Sequence, residues 1–312
     1  MFQHRRFSFP RRLVVLCVLA VASLAPQRAT AEELFPPELV EFTAYAQNPV
    51  FTAAGSSDWD AKIRERGWIM RDDGMYHLWY TGYDGTKTGT RLLGYATSPD
   101  GIRWTRYAGN PLDRTHWIED MMVVKDRDTY YMVAEGLNDI AQMLTSTDRV
   151  QWTRQGPLDV RLTNGKPIEA GPYGTPVLWK EGEKWYLFYE RRDAGVWLAT
   201  STDRRVWTNV SDEPVLACGP DAYDRYMIAM NQVIKHNGRY YALYHALDAA
   251  KRPWTTNLAT STDLVHWQKY SKNPLVENNE SSAIYVHDGE RYRLYTMHDQ
   301  VRLYLSKQAT AE

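Results

Sequence analysis

The chain is poor in cysteine: only Cys17 and Cys218 carry a thiol in 312 residues. Cys17 falls in the N-terminal stretch read below as a leader, so the remainder has one cysteine and no internal disulfide is open to it. A domain without cross-links must hold together by apolar burial. The eight histidines show no H-E-x-x-H or comparable spacing, so nothing in the pattern supports a catalytic metal. A G-x-S-x-G elbow, a glycine-rich phosphate loop and a dinucleotide fingerprint are also missing, which removes the commonest serine-hydrolase, NTPase and Rossmann readings. Beyond residue 31 no apolar run is long enough to span a bilayer.

The first 31 residues have the make-up of a signal peptide. His4, Arg5, Arg6, Arg11 and Arg12 form a basic start, Leu13 to Leu24 an apolar segment too short to cross a membrane, and Ala29-Thr30-Ala31 a small-residue cleavage site. The expectation is a secreted or periplasmic protein cut near Ala31, with one domain over 32–312. The leader takes five of the 37 basic residues and none of the 38 acidic ones, leaving 32 against 38 and a net charge near −6. Such a surface suits neither nucleic acid nor an acidic membrane, and a monomer is expected. Aromatic residues, by contrast, are plentiful. The 12 Trp and 21 Tyr serve as packing between sheets, and flat amphipathic rings also stack on sugars.

The chain repeats itself. The pattern S-x-D-x-x-x-W occurs at Ser98/Asp100/Trp104, Ser146/Asp148/Trp152, Ser201/Asp203/Trp207 and Ser261/Asp263/Trp267. Each is a tight turn whose Asp accepts backbone N–H groups and whose Trp packs, so the motif reads as structural. About 20 residues before each turn a polar hairpin leads into an aromatic strand, as at Gly74-Met75-Tyr76, Asp128-Thr129-Tyr130, Glu183-Lys184-Trp185 and Gly238-Arg239-Tyr240, and a fifth copy follows at Gly289-Glu290-Arg291-Tyr292. A short apolar run precedes each aromatic strand. Every full unit therefore has four strands, and the array predicts an all-β, five-bladed propeller of antiparallel sheets.

The fifth unit ends after its third strand, at Val301 to Ser306. Its outer strand is expected from the other end of the domain, because Phe42 to Val50 aligns with Trp104 to Leu112 and Trp267 to Leu275, each ending in Asn-Pro and an aliphatic residue. An outer strand supplied from residues 40–51 closes the ring and removes two open sheet edges.

This topology sorts residues by face. The S-x-D turns share one face, and the long segments, including 52–66, 113–120, 135–140, 159–175, 190–195, 245–256, 277–282 and 296–300, share the other. Long loops with unusual acids mark that second face as the candidate site. Asp120 opens the inner strand of blade two, ten residues before Tyr130, where the other blades carry Arg66, Thr175, Met230 and Ser281 by the same count. Asp60 and Glu169 each lie six residues upstream of that position in blades one and three. Glu190 and Glu135 end the second strands of blades three and two. Arg66, Tyr173, Asn231, His245 and His298 lie on the same face as candidate ligands for hydroxyls.

The aromatic strands, the A-T-S-x-D-x-x-x-W turns and the acids on blades one to three resemble the five-bladed glycoside hydrolases of families 43, 62, 32 and 68, and more distantly those of family 130. The resemblance spans nearly the whole domain. It implies a general base in blade one, for which Asp60 is nearest. It implies an Asp in blade two that orients the acid, matched by Asp120, and a general acid in blade three, matched by Glu169 or Glu190. A structural cation in the central channel, as some relatives have, is compatible with this, and no other cofactor is implied. Arg66 and Thr175 stand where those families place acids, and the N-D-P-N-G, R-D-P and W-E-C motifs of families 32 and 68 are absent.

The expectation is an exo-acting glycosidase for short oligosaccharides that inverts configuration, with arabinofuranosides first and mannosides second as substrates. The alternatives are a phosphorylase of the family 130 kind and a non-catalytic carbohydrate-binding propeller.

Overall fold

The structure is a computed structural model that describes residues 1, 34–55, 58–248, 250 and 253–307. The predicted leader lies, Met1 apart, outside the described residues. Among the described residues no helix is long and apolar enough to cross a membrane.

A single turn of helix, α1 (Pro37–Val40), precedes the first strand, β1 (Phe42–Ala44). Blade one is β2 (Lys62–Asp72), β3 (Met75–Tyr83), β4 (Leu92–Ser98) and β5 (Thr105–Arg106). Blade two is β6 (Glu119–Asp126), β7 (Thr129–Gly136), β8 (Ile140–Ser146) and β9 (Thr153–Pro157). A short strand, β10 (Asp159–Arg161), leads to blade three, which is β11 (Gly174–Glu181), β12 (Lys184–Glu190), β13 (Gly195–Ser201) and β14 (Val206–Asn209). After β15 (Leu216–Ala217) come blade four, with β16 (Met227–His236), β17 (Arg239–Leu247), β18 (Thr255–Ser261) and β19 (Gln268–Lys269), and blade five, with β20 (Ile284–His287), β21 (Tyr292–Met297) and β22 (Val301–Ser306).

Each blade runs antiparallel from its inner strand outward, and the inner strands β2, β6, β11, β16 and β20 neighbour one another around an axis, with β20 returning to β2. Blade three departs from the four-strand expectation. It has six strands, because β10 adds in parallel to β14 and β15 pairs with β13.

The ring closes as the repeat predicts. β1 pairs antiparallel with β22, so the N-terminal strand completes blade five. The chemistry of this clasp is the same in three blades. The Asn48 side chain gives Nδ2–H to the Leu303 carbonyl and takes the Leu303 N–H, both at 2.8 Å. Asn110 does this with Tyr95 in blade one, and Asn273 with Leu258 in blade four. An amide side chain presents one donor and one acceptor, so it can stand in for one residue of a strand ladder. The Asn-Pro that follows the outer strand in these three blades is therefore a readable marker of the clasp.

The S-x-D turns are structural. In blade one Asp100 Oδ1 accepts the N–H groups of Ile102 and Arg103 at 2.9 and 2.8 Å, while Ser98 Oγ accepts that of Gly101 at 2.8 Å. The same set recurs at Asp203 and Asp263. Between blades the apolar filling is aromatic. Trp79, Trp185 and Trp207 are fully buried, and truncating such a side chain costs about 3–5 kcal/mol. Leu39 of α1, with Phe35 just before the helix, fills a smaller cluster under blades four and five.

Candidate active site

On the face opposite the S-x-D turns the inner strands surround a cavity of about 320 Å³. Six carboxyls line it: Glu65 from blade one, Asp120, Glu135 and Asp139 from blade two, and Glu190 and Asp193 from blade three.

Irregular pairing puts them there. Arg64 faces Thr81, Glu119 faces Glu135 and Gly174 faces Glu190, and immediately after each of these the inner strand bulges. The next residue, Glu65, Asp120 or Thr175, takes a left-handed backbone at φ 44, 48 or 42°. Non-glycine residues adopt that conformation at a cost of about 1–2 kcal/mol, and such positions cluster at functional sites. Blades two and three each carry one extra residue in the bulge, whereas blade one carries two, so that Glu65, Arg66 and Gly67 all lie opposite Tyr80. Counting ten residues upstream of the aromatic strand therefore lands one residue late in blade one. The residue equivalent to Asp120 is Glu65, and an acid does stand in blade one where Arg66 was expected to replace it. The signal was Gly67: a β-carbon there would lie 2.6 Å from the Trp79 carbonyl oxygen.

Crowding acids in a half-closed cavity disfavours their ionised forms. Glu65 is lifted to about 8, first by burial and then by the charge of Asp120, with Arg64 pulling the other way. Its carboxylate pairs with Arg64 at 2.8 Å. Asp120 is raised by burial against the opposing charges of Arg66 and Arg64. Glu135 is raised well above its ordinary value by burial, then by Asp120 and Glu119. Glu190 is pushed up to about 7 by burial, although the N–H groups of Asp193 and Gly174 hold its two oxygens at 2.6 and 2.9 Å. Asp193 rises to about 6 through burial and the charges of Asp120 and Asp139.

Of the residues singled out in the sequence, Asp120, Glu135, Glu190, His245 and His298 line this cavity. Asp60 does not. It is 1 % exposed and its Oδ2 accepts the Tyr80 hydroxyl and the Arg106 Nε–H, each at 3.0 Å, because its loop folds back against blade one instead of over the mouth. Glu169 also stays out. Its side chain is 76 % exposed, and Arg191 holds that loop by donating to the Glu169 carbonyl at 2.9 Å. Tyr173 gives its hydroxyl to the Leu158 carbonyl at 2.8 Å and braces the link between blades two and three. Asn231 is buried behind His245, holding its Nδ1 at 2.9 Å.

Arg66 does not line the cavity either. It is fully buried, and its guanidinium donates to carbonyls of three other blades: Asp120, Pro176 at 2.8 Å and Asn231 at 3.1 Å. Its backbone N–H meets Asp120 Oδ1 at 3.1 Å. The positive charge at the meeting point of four inner strands is thus a side chain, in the place where a channel cation was contemplated. Among the described residues, Glu119, Glu135 and Asp139 bring carboxylate oxygens within 4.8 Å of one another. Glu119 is, however, already ion-paired to Arg64 at 3.2 Å and bonded to the Trp117 indole at 2.6 Å.

No family model matches the chain. A 1,2-beta-oligomannan phosphorylase from Thermoanaerobacter sp. (strain X514) is 24% identical over 227 residues, which cover 67% of this chain and 73% of that protein. Among solved structures, a glycosyl hydrolase from Bacteroides ovatus superposes with a TM-score of 0.70 at 17% identity, covering 87% of this chain and 96% of the other. The beta-1,2-mannobiose phosphorylase of Listeria innocua, in complex with beta-1,2-mannobiose, superposes with a TM-score of 0.67 at 15% identity, covering 86% and 97%. The chain has the five-bladed propeller fold that these glycoside hydrolases and mannoside phosphorylases share.

Proposed function

We propose that this chain is a carbohydrate-active enzyme that hydrolyses glycosidic bonds with inversion, using Glu65 and Glu190 as acid and base. The observation that carries this is their placement. They face one cavity from blades one and three with Asp120 on the blade between, and both are lifted into the range where a carboxyl can exchange protons near neutrality. Glu65, held protonated beside Asp120, gives its proton to the leaving oxygen. Glu190, oriented by two backbone N–H groups, takes a proton from the water whose oxygen bonds to the anomeric carbon. The products are a free alcohol and a sugar of inverted configuration. Beta-1,2-mannosides are the first substrates to try, given the proteins it resembles in sequence and fold.

A second reading rests on the phosphorylase relative and on Arg64, Arg192 and His298, which line the same cavity and have the chemistry to hold phosphate oxygens. Phosphate then takes the place of water and no protein base is needed. One experiment separates the two: oligomannosides and aryl glycosides incubated with and without phosphate, the product followed by NMR. Free sugar of inverted configuration, formed without phosphate and lost in Glu190→Gln, supports hydrolysis. Sugar 1-phosphate formed only with phosphate replaces it. A product of retained configuration removes the proposed chemistry. We propose, from the leader-like N-terminal sequence, that the activity lies outside the cytoplasm, and sequencing the mature N-terminus of exported protein tests this.

A further inference from the structure

The cavity has two unlike halves. All six of its carboxyls, and both of its arginines, come from blades one to three. Among the described residues, blades four and five contribute His245, Trp254, Ser281, Ser282 and His298, none of them acidic and none permanently charged.

The residues of this second half are held in place. Among the described residues, Trp254 is the one Trp, Tyr or Phe in the cavity wall. Its backbone N–H meets Asn279 Oδ1 at 3.3 Å and its carbonyl accepts the Asn279 N–H at 3.1 Å, which clasps the blade-four loop to that of blade five. The indole stands at 88° to the His245 ring with centroids 5.0 Å apart. The amide of Asn231, a donor through Nδ2, reaches His245 Nδ1 at 2.9 Å, so the imidazole proton sits on Nε2. Burial first, and the nearby Arg66 charge second, push this histidine down to about 3, so it stays a neutral donor at any working pH. His298 is also lowered by burial, and its Nδ1 lies 3.3 Å from Ser281 Oγ.

We propose that blades four and five form the sugar-holding half of the cavity and select an uncharged ring, with Trp254 stacked on its C–H face and His245 Nε2–H donating to one of its hydroxyls. An aromatic face and fixed neutral donors match a ring that is apolar above and below and hydroxylated at its rim. A uronic acid would bring a further carboxylate into a cavity that already holds six, where, among the described lining residues, Arg64 is engaged by Glu65 and Glu119 and Arg192 stands on blade three, away from the sugar-holding half. Division of labour follows: blades one to three break the bond and blades four and five hold the sugar.

This inference rests on the carbohydrate reading of the same cavity, and its test keeps the two apart. Wild type, Trp254→Ala, Trp254→Phe and His245→Ala are compared on a neutral glycoside and on its uronide, with melting temperature as the check on folding. For Trp254→Ala the expected result is a KM raised about tenfold with kcat within about threefold of wild type, most of it recovered in Trp254→Phe. The uronide is expected to be turned over at least about a hundredfold less well. An unchanged KM in a folded Trp254→Ala, or a uronide preferred over the neutral sugar, overturns the inference while leaving glycosidase activity in place. If wild type turns over no glycoside, calorimetric titration with neutral oligosaccharides decides: binding lost in Trp254→Ala sustains the holding half and sinks the enzyme reading, and no binding by wild type sinks both.

Discussion

Gly174 gives its N–H to Glu190 Oε1 at 2.9 Å, and the space left by its missing side chain is taken by the Glu135 carboxylate. Gly174→Ala would place a methyl group against both acids. Displacing reacting groups by about 1 Å costs about a hundredfold in rate. The expected outcome is that kcat/KM falls by about that factor while melting shows the fold retained.

The acids that line the cavity and Asp60, which lies outside it, separate cleanly by substitution. Glu65→Gln and Glu190→Gln are expected to lower kcat by about 10²–10⁴ with little effect on melting near pH 5, where both acids are protonated in the folded chain. Asp60→Asn should do the reverse. It weakens the bonds from Tyr80 and Arg106, so stability drops by about 1–3 kcal/mol and turnover per folded molecule is kept. Activity lost with Asp60→Asn at unchanged stability would restore it as the base.

Arg66→Met would leave three carbonyls of three blades without their donor and Asp120 without its facing charge. Removing one side of such a buried charged network costs about 3–5 kcal/mol. For a domain of this size that lowers the melting temperature by roughly 10 °C. Calorimetry checks it.

Stability should fall as pH rises past the acid range. The unfolded chain ionises Glu190 near the ordinary 4.5, but the folded chain holds its proton to about 7, so the folded state binds more protons between these values. The stabilisation is complete below the lower value and is lost as pH climbs to the upper one, on the order of 3 kcal/mol for this one group. Asp72 and Asp100, held below the usual carboxylate range, act with opposite sign and only in stronger acid. Melting temperature measured from about pH 5 to about pH 8 should decline, and Glu190→Gln should flatten the decline.

The clasp makes a simple prediction. Asn48→Ala removes both hydrogen bonds to Leu303 and should cost about 1–3 kcal/mol, as should Asn110→Ala and Asn273→Ala in their blades. Only Asn48→Ala opens the ring, so faster proteolysis of the segment from residue 34 to 51 is expected in that variant alone.

The ring could be read because its signals are local. An Asp that caps its own turn, an aromatic strand after a polar hairpin, and an Asn that mimics a strand residue each act within a few residues, and they recur in several blades. The segments expected on the active face also contain every residue of the cavity wall. The individual acids were harder. Glu65 was missed because one more residue bulges from blade one than from blades two or three, and a count along the chain assumes equal spacing. Asp60 and Glu169 were placed at the site by symmetry with each other, yet Tyr80 and Arg106 hold the one and Arg191 holds the loop of the other. Those partners are distant in sequence for Asp60, and no repeat records them.

The amino-acid order by itself determined five sheets, their antiparallel hairpins and the use of the first strand to finish the last sheet, because turn geometry and side-chain alternation are properties of neighbouring residues. Which carboxyls share a cavity, which stay protonated, and that an arginine occupies the centre were decided only when the blades met. Burial and the fields of charges from other blades are features of the assembled ring, and no short stretch of chain contains them.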